Sequence, residues 1–156
     1  MAGNCQLRPA SRGDLAALER RAFDDPWSEA QLRTALDWSG ALAFVADDRG
    51  DVVGYVLGRV IVDEGEILSI ALSPERRREG IGRQLLDTAI AAMVERGAHS
   101  AWLEVRESNS AARQLYQLAG FVATGVRPGY YRHPEEDALI LRRDLLADAS
   151  DRSALR

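Results

Sequence analysis

The stretch from residue 66 to residue 105 constrains the fold more than any other part of the chain. Glu66-Ile67-Leu68-Ser69-Ile70-Ala71-Leu72 is an apolar-rich run of strand length, and Pro74 stops it. From Ile81 the pattern is helical. Ile81, Leu85, Leu86, Ala89, Ile90 and Met93 share one face, and Gly97 stands where a glycine closes a helix. Ala101-Trp102-Leu103-Glu104-Val105 is strand-like again. The spacing therefore predicts a strand, a crossover helix and a parallel strand of right-handed connection.

The turn between the first strand and the helix is chemically unusual. Arg76, Arg77, Arg78 and Arg83 crowd the start of a helix, with Glu79, Gly80 and Gly82 among them. The helix macrodipole disfavours each cation there by about 0.3–1 kcal/mol, and the arginines repel one another. A pyrophosphate would remove the conflict. Glycines let the backbone approach a ligand closely and leave the first helical N–H groups free for its oxygens. A solvated basic turn with a glycine hinge explains the same residues without a ligand. The turn has no Gly-Lys-Ser/Thr ending for a P-loop and no Gly-x-Gly-x-x-Gly for a dinucleotide fold.

Around this unit the pattern predicts two helices before it. One carries Leu15, Leu18, Ala22 and Phe23 behind a Ser11–Asp14 capping pair. The other runs from the capping box Ser28-Glu29-Ala30-Gln31 to about Leu36. Two strands follow, over 41–46 and 52–62, and with 66–72 they read as an antiparallel meander. Gly54 and Gly58 interrupt the second without ending it, which predicts bulges or close backbone contacts. Beyond Val105, Ser108 or Asn109 can cap a helix with Ala112, Leu115, Leu118 and Ala119 that ends at Gly120. Two last strands, 121–126 and 138–141, are joined through Gly129-Tyr130-Tyr131-Arg132-His133-Pro134. The expected architecture is an α/β (α+β) fold, with a central mixed, mostly antiparallel sheet carrying helices on both faces. Residues 1–146 are expected to form one domain, with 147–156 a flexible tail.

Composition excludes several functions. The chain of 156 residues has 20 Lys+Arg against 24 Asp+Glu, a formal charge of −4 that argues against broad nucleic-acid binding. No apolar run reaches the length of a membrane span, and the first residues lack the basic and apolar regions of a secretory signal. One cysteine, Cys5, allows neither an internal disulfide nor a thiolate metal site, and His99 and His133 have no metal-ligand spacing. The expectation is a cytoplasmic, metal-free protein, with Cys5 a spectator.

Ile70-Ala71-Leu72 followed by Arg77-x-x-Gly80-x-Gly82 resembles the acyl-CoA-binding signature of the GNAT N-acetyltransferases. Trp102-Leu103-Glu104-Val105-Arg106, Ser108-Asn109, Leu115-Tyr116 and Gly120-Phe121 are similar to the ribosomal-protein alanine N-acetyltransferase branch of that family. So are Asp25-Pro26-Trp27-Ser28-Glu29, Tyr130-Tyr131 and Glu136-Asp137-Ala138. The resemblance spans roughly residues 22–141, and Phe23-Asp24-Asp25-Pro26 departs from it by extra acid before Pro-Trp. It implies a splayed acyl-CoA cleft in the sheet and acetyl-CoA as co-substrate. The signature strand Ile70, Ala71 and Leu72 would bond the pantetheine arm. The loop Arg77, Arg78, Glu79, Gly80, Ile81, Gly82 and Arg83 would cradle the pyrophosphate.

Two residues then carry the chemistry. By alternation Glu104 shares a strand face with Trp102, and a carboxylate beside an indole suits a base near neutrality. A strand glutamate paired with Arg106 or another surface charge is the plainer reading. Tyr116, beside Leu115 and Leu118, reads unaided as a core tyrosine. The resemblance implies that Glu104 accepts the amine proton, that Tyr116 protonates the thiolate and that Asn109 contacts the cofactor. Asn109 could equally be only a helix cap. Trp27 is packing or a wall of the acceptor groove, and Tyr130-Tyr131 stack on a peptide or finish a strand. The acceptor implied is a protein N-terminus, a ribosomal protein, with lysine or a small amine as the alternative and a non-catalytic acyl-CoA-binding module a third. The expected state is a monomer or weak dimer, without nucleic acid or membrane as partner.

Overall fold

The structure, a computed structural model, describes residues 5–11, 13–22, 27–132 and 134–146. The tail 147–156, the segment 23–26 and His133 lie outside the described residues. Along the chain run β1 (Gln6–Pro9), α1 (Ala16–Ala22), α2 (Glu29–Leu36), β2 (Ala41–Asp48), β3 (Asp51–Ile61) and β4 (Glu64–Leu72). A 3₁₀ turn (Pro74–Arg76), α3 (Ile81–Glu95), β5 (Ser100–Arg106), α4 (Ser110–Leu118), β6 (Val122–Tyr131) and β7 (Glu136–Asp144) follow.

The expected order holds with one strand added in front. Gln6–Pro9 pairs antiparallel with β2, from Gln6 opposite Asp47 to Pro9 opposite Phe44. Four residues ending in proline carry too little alternation to be read as a strand, and the sheet tolerates Pro9 because β1 is an edge. Arg8 fastens it, donating to Asp47 Oδ2 and Asp14 Oδ2, both at 3.0 Å. That guanidinium holds the Asp14 carboxyl below its usual range. Asp14 also accepts from the Ser11 backbone N–H and hydroxyl, so half of the expected capping pair forms, with α1 starting at Ala16. The box at Ser28–Gln31 forms completely. The strand expected to reach Val62 ends at Ile61, because Val62 turns into a positive-φ conformation (φ 57°).

All strands lie in one sheet, ordered β1-β2-β3-β4-β5-β7-β6. Every pairing is antiparallel except β4 with β5, the expected parallel crossover through α3. That pairing is short. It runs from Glu64 opposite Ser100 to Ile67 opposite Leu103 and stops. Beyond it β4 stays with β3 as far as Leu72, and β5 stays with β7 as far as Arg106, so the two strands part and a cleft opens. A register shift strengthens the divergence: Leu57 faces Ser69 while Gly58 faces Ile67, leaving Leu68 as an extra residue. Gly58 is needed there, since a Cβ would stand 2.7 Å from the Glu66 carbonyl oxygen.

Two cores hold the layers. Ile81, Leu85, Leu86, Ala89 and Met93 of α3 pack with Ile67, Leu103, Val105, Tyr116 and Phe121 on one face. Leu15, Leu18, Leu32 and Ala35 of α1 and α2 pack with Val45, Tyr55, Leu57 and Ala71 on the other. Among the described residues no helix is long and apolar enough to cross a membrane, and no group of three His, Cys, Asp or Glu could hold a metal.

Candidate active site

The cleft begins where β4 and β5 separate, past Ile67 and Leu103. Ile70, Ala71 and Leu72 form the free half of β4. Behind them the turn leads into α3, whose N-cap Gly80 takes the left-handed conformation (φ 84°) and offers no side chain to cap the helix. The first N–H groups of α3, at Ile81, Gly82 and Arg83, thus face an uncapped end. Gly82 is helical and fully packed. A Cβ on it would meet Leu72 at 3.4 Å and Leu115 at 3.6 Å, so β4, α3 and α4 meet at this glycine.

The four arginines are not equivalent. Arg76, counted with the cationic cluster above, is neutralised by Asp48 Oδ2 at 2.8 Å and Glu79 Oε2 at 2.9 Å. Arg83 pairs with Asp87 at 3.0 Å. Arg77 donates to the Ala22 carbonyl at 3.4 Å, joining the turn to the end of α1, and Arg78 has no partner among the described residues. Arg78 also holds φ at 68°, a left-handed conformation that a non-glycine residue adopts at a cost. The charge available to a diphosphate is that of Arg77 and Arg78, and Glu79 serves Arg76. An open helix end, a left-handed glycine and two guanidinium groups without a carboxylate partner among the described residues fit the pyrophosphate of CoA.

This glycine is testable. Gly80→Ala has open space around the new Cβ but forces a left-handed residue, costing about 1–2 kcal/mol. The free turn relieves that strain by leaving the left-handed conformation and must regain it to present its N–H groups to the ligand. The acetyl-CoA Kd is therefore expected to rise up to roughly ten-fold in a folded variant, 1.4 kcal/mol being a factor of ten. Calorimetry showing an unchanged Kd would remove the turn from the site.

Glu104 stands one residue past the last β4–β5 rung. Leu103 and Val105 point into the α3 core, so Glu104 points to the α1–α2 face with Trp102 and Arg106. Its side chain is 13% exposed. Oε1 meets Arg127 Nε at 3.2 Å, whereas Oε2 is buried with no hydrogen-bond partner. The plainer reading of Glu104, paired with Arg106 or another surface charge, is met in its second form: the partner is half-exposed Arg127 and not Arg106. Arg106 instead stacks over Tyr131 (4.4 Å) and binds Glu136, the Arg132 carbonyl and the Pro134 carbonyl. Arg127 reaches Glu104 from β6 across β7, where Arg127 lies opposite Ala138 and Glu104 opposite Ile140. Tyr130 and Tyr131 close β6 edge-to-face at 5.0 Å. Burial, and then the Glu104 charge, raise both phenols, Tyr131 up to about 12.

Tyr116 approaches from the opposite face. It is buried in α4, packs edge-on against Phe121 at 5.9 Å and belongs to the α3 core. Burial, followed by the neighbouring Tyr131 phenol, lifts its pKa well above the ordinary tyrosine value, so it stays protonated. The Glu104 carboxyl thus lies on one face of the sheet and the Tyr116 phenol on the other. The turn before α4 is held by Glu136, which accepts from the Ser108 backbone N–H and from the Ser108 hydroxyl at 2.9 Å. Asn109 Oδ1 caps α4 by accepting from Ala112 N at 3.1 Å. The cap reading of Asn109 is realised, and only its amide N–H groups are left for a ligand.

Sequence reasoning missed Arg127, Glu66 and the buried pair Glu19–Tyr55. Glu66, on the same face as Glu104, is raised chiefly by burial, with Arg59 opposing at 3.2 Å. Of these only Glu19 left a mark in the sequence. It lies between Leu15, Leu18 and Ala22 on the apolar stripe of α1, where a charge is out of place.

A mixed sheet parted at its one parallel pair, with an uncapped glycine turn behind the parting, is the framework of an acyl-CoA-dependent transferase. Residues 13–121 match the acetyltransferase (GNAT) family, and the chain belongs to it: it is an acetyl-CoA-dependent N-acetyltransferase. It is 37% identical over 126 residues to the [ribosomal protein bS18]-alanine N-acetyltransferase of Escherichia coli K12, covering 80% of this chain and 84% of that protein. The enzyme of the same name from Salmonella typhimurium is 38% identical over 140 residues, 84% and 91% of the two chains. The crystal structure of the ribosomal-protein-S18-alanine N-acetyltransferase from Escherichia coli superposes with a TM-score of 0.84 at 31% identity, covering 90% of this chain and 93% of that one.

Proposed function

We propose that this enzyme acetylates the N-terminal α-amine of a protein, an alanine-terminated ribosomal protein, with Glu104 as proton acceptor and Tyr116 as proton donor. The observation that carries the reading is the placement of Glu104, with an unpartnered buried oxygen, at the parting of β4 and β5. Acetyl-CoA supplies the activated acyl group. The acceptor ammonium loses its proton to Glu104, directly or through a water, the new C–N bond forms and the C–S bond breaks. The departing thiolate takes the Tyr116 proton from the far face.

Energetics support an α-amine. An N-terminal amine has a pKa of about 7.7–8.0, so freeing it at pH 7 costs about 1 kcal/mol, whereas a lysine near 10.4 costs about 4.6 kcal/mol. One carboxylate suffices for the easier task. The relatives named for bS18-alanine acetylation, each matched over most of its length, support the ribosomal acceptor. A ribosomal acceptor and acetyl-CoA as co-substrate support a cytoplasmic reaction.

Acetylation of a peptide panel tests this. Peptides with free N-terminal Ala, Ser or Met are set against N-blocked peptides carrying one lysine. The expected order is Ala first, with the blocked lysine peptides at least ten-fold slower in kcat/KM. Equal rates on the blocked peptides would replace the reading with lysine acetylation, and no turnover on any peptide would point to a small-molecule amine or to a binding module.

A further inference from the structure

Two buried polar or charged residues are found among the described ones, and one, Glu19, is a carboxylate 2% exposed that the proposed chemistry does not use. Burying a carboxylate costs several kcal/mol unless its oxygens are bonded. Both are. Oε1 accepts the backbone N–H of Trp27 at 3.0 Å, and Oε2 accepts the Tyr55 hydroxyl. Tyr55 Oη lies 2.9 Å from Ser69 Oγ. Because the Tyr55 proton is committed to Glu19, Ser69 must be the donor to Tyr55. A chain of hydrogen bonds thus links Ser69 in β4, Tyr55 in β3, Glu19 in α1 and Trp27, which leads into α2, with Tyr55 and Trp27 both donating to Glu19.

The two ends of this chain matter. Ser69 directly precedes Ile70-Ala71-Leu72, the free half of β4. Trp27 packs against the α1–α2 core, which contains Ala71 of that half-strand, and lies on the same sheet face as Glu104. The end of α1 is tied to the phosphate turn by Arg77 on the Ala22 carbonyl. The entrance of α2 therefore sits beside the cleft on the side from which a base at Glu104 meets its amine.

We propose that Glu19 is a positioning residue that fixes the entrance of α2, and with it one wall of the acceptor groove, to the acyl-CoA strand. This rests on the amine approaching from the Glu104 face. The role is geometric, so Glu19→Gln preserves it. The glutamine oxygen accepts from Trp27, its NH₂ donates to Tyr55 and Tyr55 turns its proton to Ser69, so the contacts that tie α1 to β3, β4 and the entrance of α2 persist.

The test compares Glu19→Gln, Glu19→Leu and Tyr55→Phe with the wild type by acetyl-CoA calorimetry, by kinetics on the amine acceptor the wild type uses best, and by hydrogen exchange. In Glu19→Leu the acceptor KM is expected to rise at least ten-fold. Its acetyl-CoA Kd should stay within two-fold and kcat within three-fold, with faster exchange over residues 27–32 but not in α3. Glu19→Gln stays within two-fold of wild type throughout. Tyr55→Phe, which keeps the ring and the Trp27 bond, falls between them and carries the test if the leucine variant does not fold. An unchanged acceptor KM in folded Tyr55→Phe and Glu19→Leu overturns the proposal, and so does a glutamine variant as impaired as leucine. Exchange that rises uniformly, or not at all over 27–32, overturns it without any acceptor, while a wild type inactive on every α-amine overturns the function and leaves this exchange result standing.

Discussion

Glu104→Gln is expected to lower kcat/KM by about 10²–10⁴-fold while the acetyl-CoA Kd barely moves, the size of effect that follows from losing a general base. The variant isolates proton transfer because almost nothing else changes. Glutamine has the same shape, and its oxygen can still accept from Arg127 Nε, now 3.2 Å from Oε1. Arg127 is half exposed, so the lost charge attraction is worth no more than about 1 kcal/mol to the fold. The acceptor amine titrates at about 7.7–8.0, so the ascending limb of the pH–rate profile reports a combination of groups. With one peptide used throughout, that limb changes shape in the variant. Near-normal activity from pH 6 to 9 would mean that the amine loses its proton elsewhere and that Glu104 serves only to hold Arg127.

Tyr116→Phe is expected to cost turnover by a similar factor, about 10²–10⁴-fold in kcat, with folding and acetyl-CoA binding retained. The ring is what packs: its edge-on contact with Phe121 and its place in the α3 core do not involve the hydroxyl. The direction of its pKa adds a second expectation. A group whose pKa is raised keeps its proton to higher pH, so the donor form of Tyr116 persists through the alkaline range. Wild-type activity should show no descending limb assignable to Tyr116 between pH 8 and 10. A loss below three-fold, with chemistry rate-limiting, would return Tyr116 to a packing role.

What sequence reading could see was local. The helical period from Ile81, the capping box at Ser28 and the glycine turn each write themselves into a few consecutive residues, and all three form as expected. What it missed depends on distant partners. Arg76 looked like one more cation until the fold brought Asp48 beside it from 28 residues away. Glu104 finds its counter-charge on a strand two places across the sheet rather than on its neighbour Arg106, because β7 enters between β5 and β6 against chain order. Glu19 was visible as a misplaced charge on an apolar stripe. Which groups would satisfy it was not, since Tyr55 and Ser69 meet only when β3 and β4 pair.

The short parallel pairing between β4 and β5 leaves two sheet edges inside the molecule, facing one another. Edge strands elsewhere are guarded by charge, proline or brevity against pairing with a foreign strand. These inner edges carry Ile70, Ala71 and Leu72 on one side, with neither charge nor proline, and Glu104, Val105 and Arg106 on the other, whose two charges are engaged by Arg127 and Glu136. α3 packs on one face of this seam, and the end of α1 is tied to the turn beyond β4 by Arg77. A linear ligand bearing amides of its own can lie there as a substitute strand, meeting backbone groups by the same hydrogen bonds that join a sheet. Binding a small molecule and finishing the secondary structure are, at this one seam, a single event.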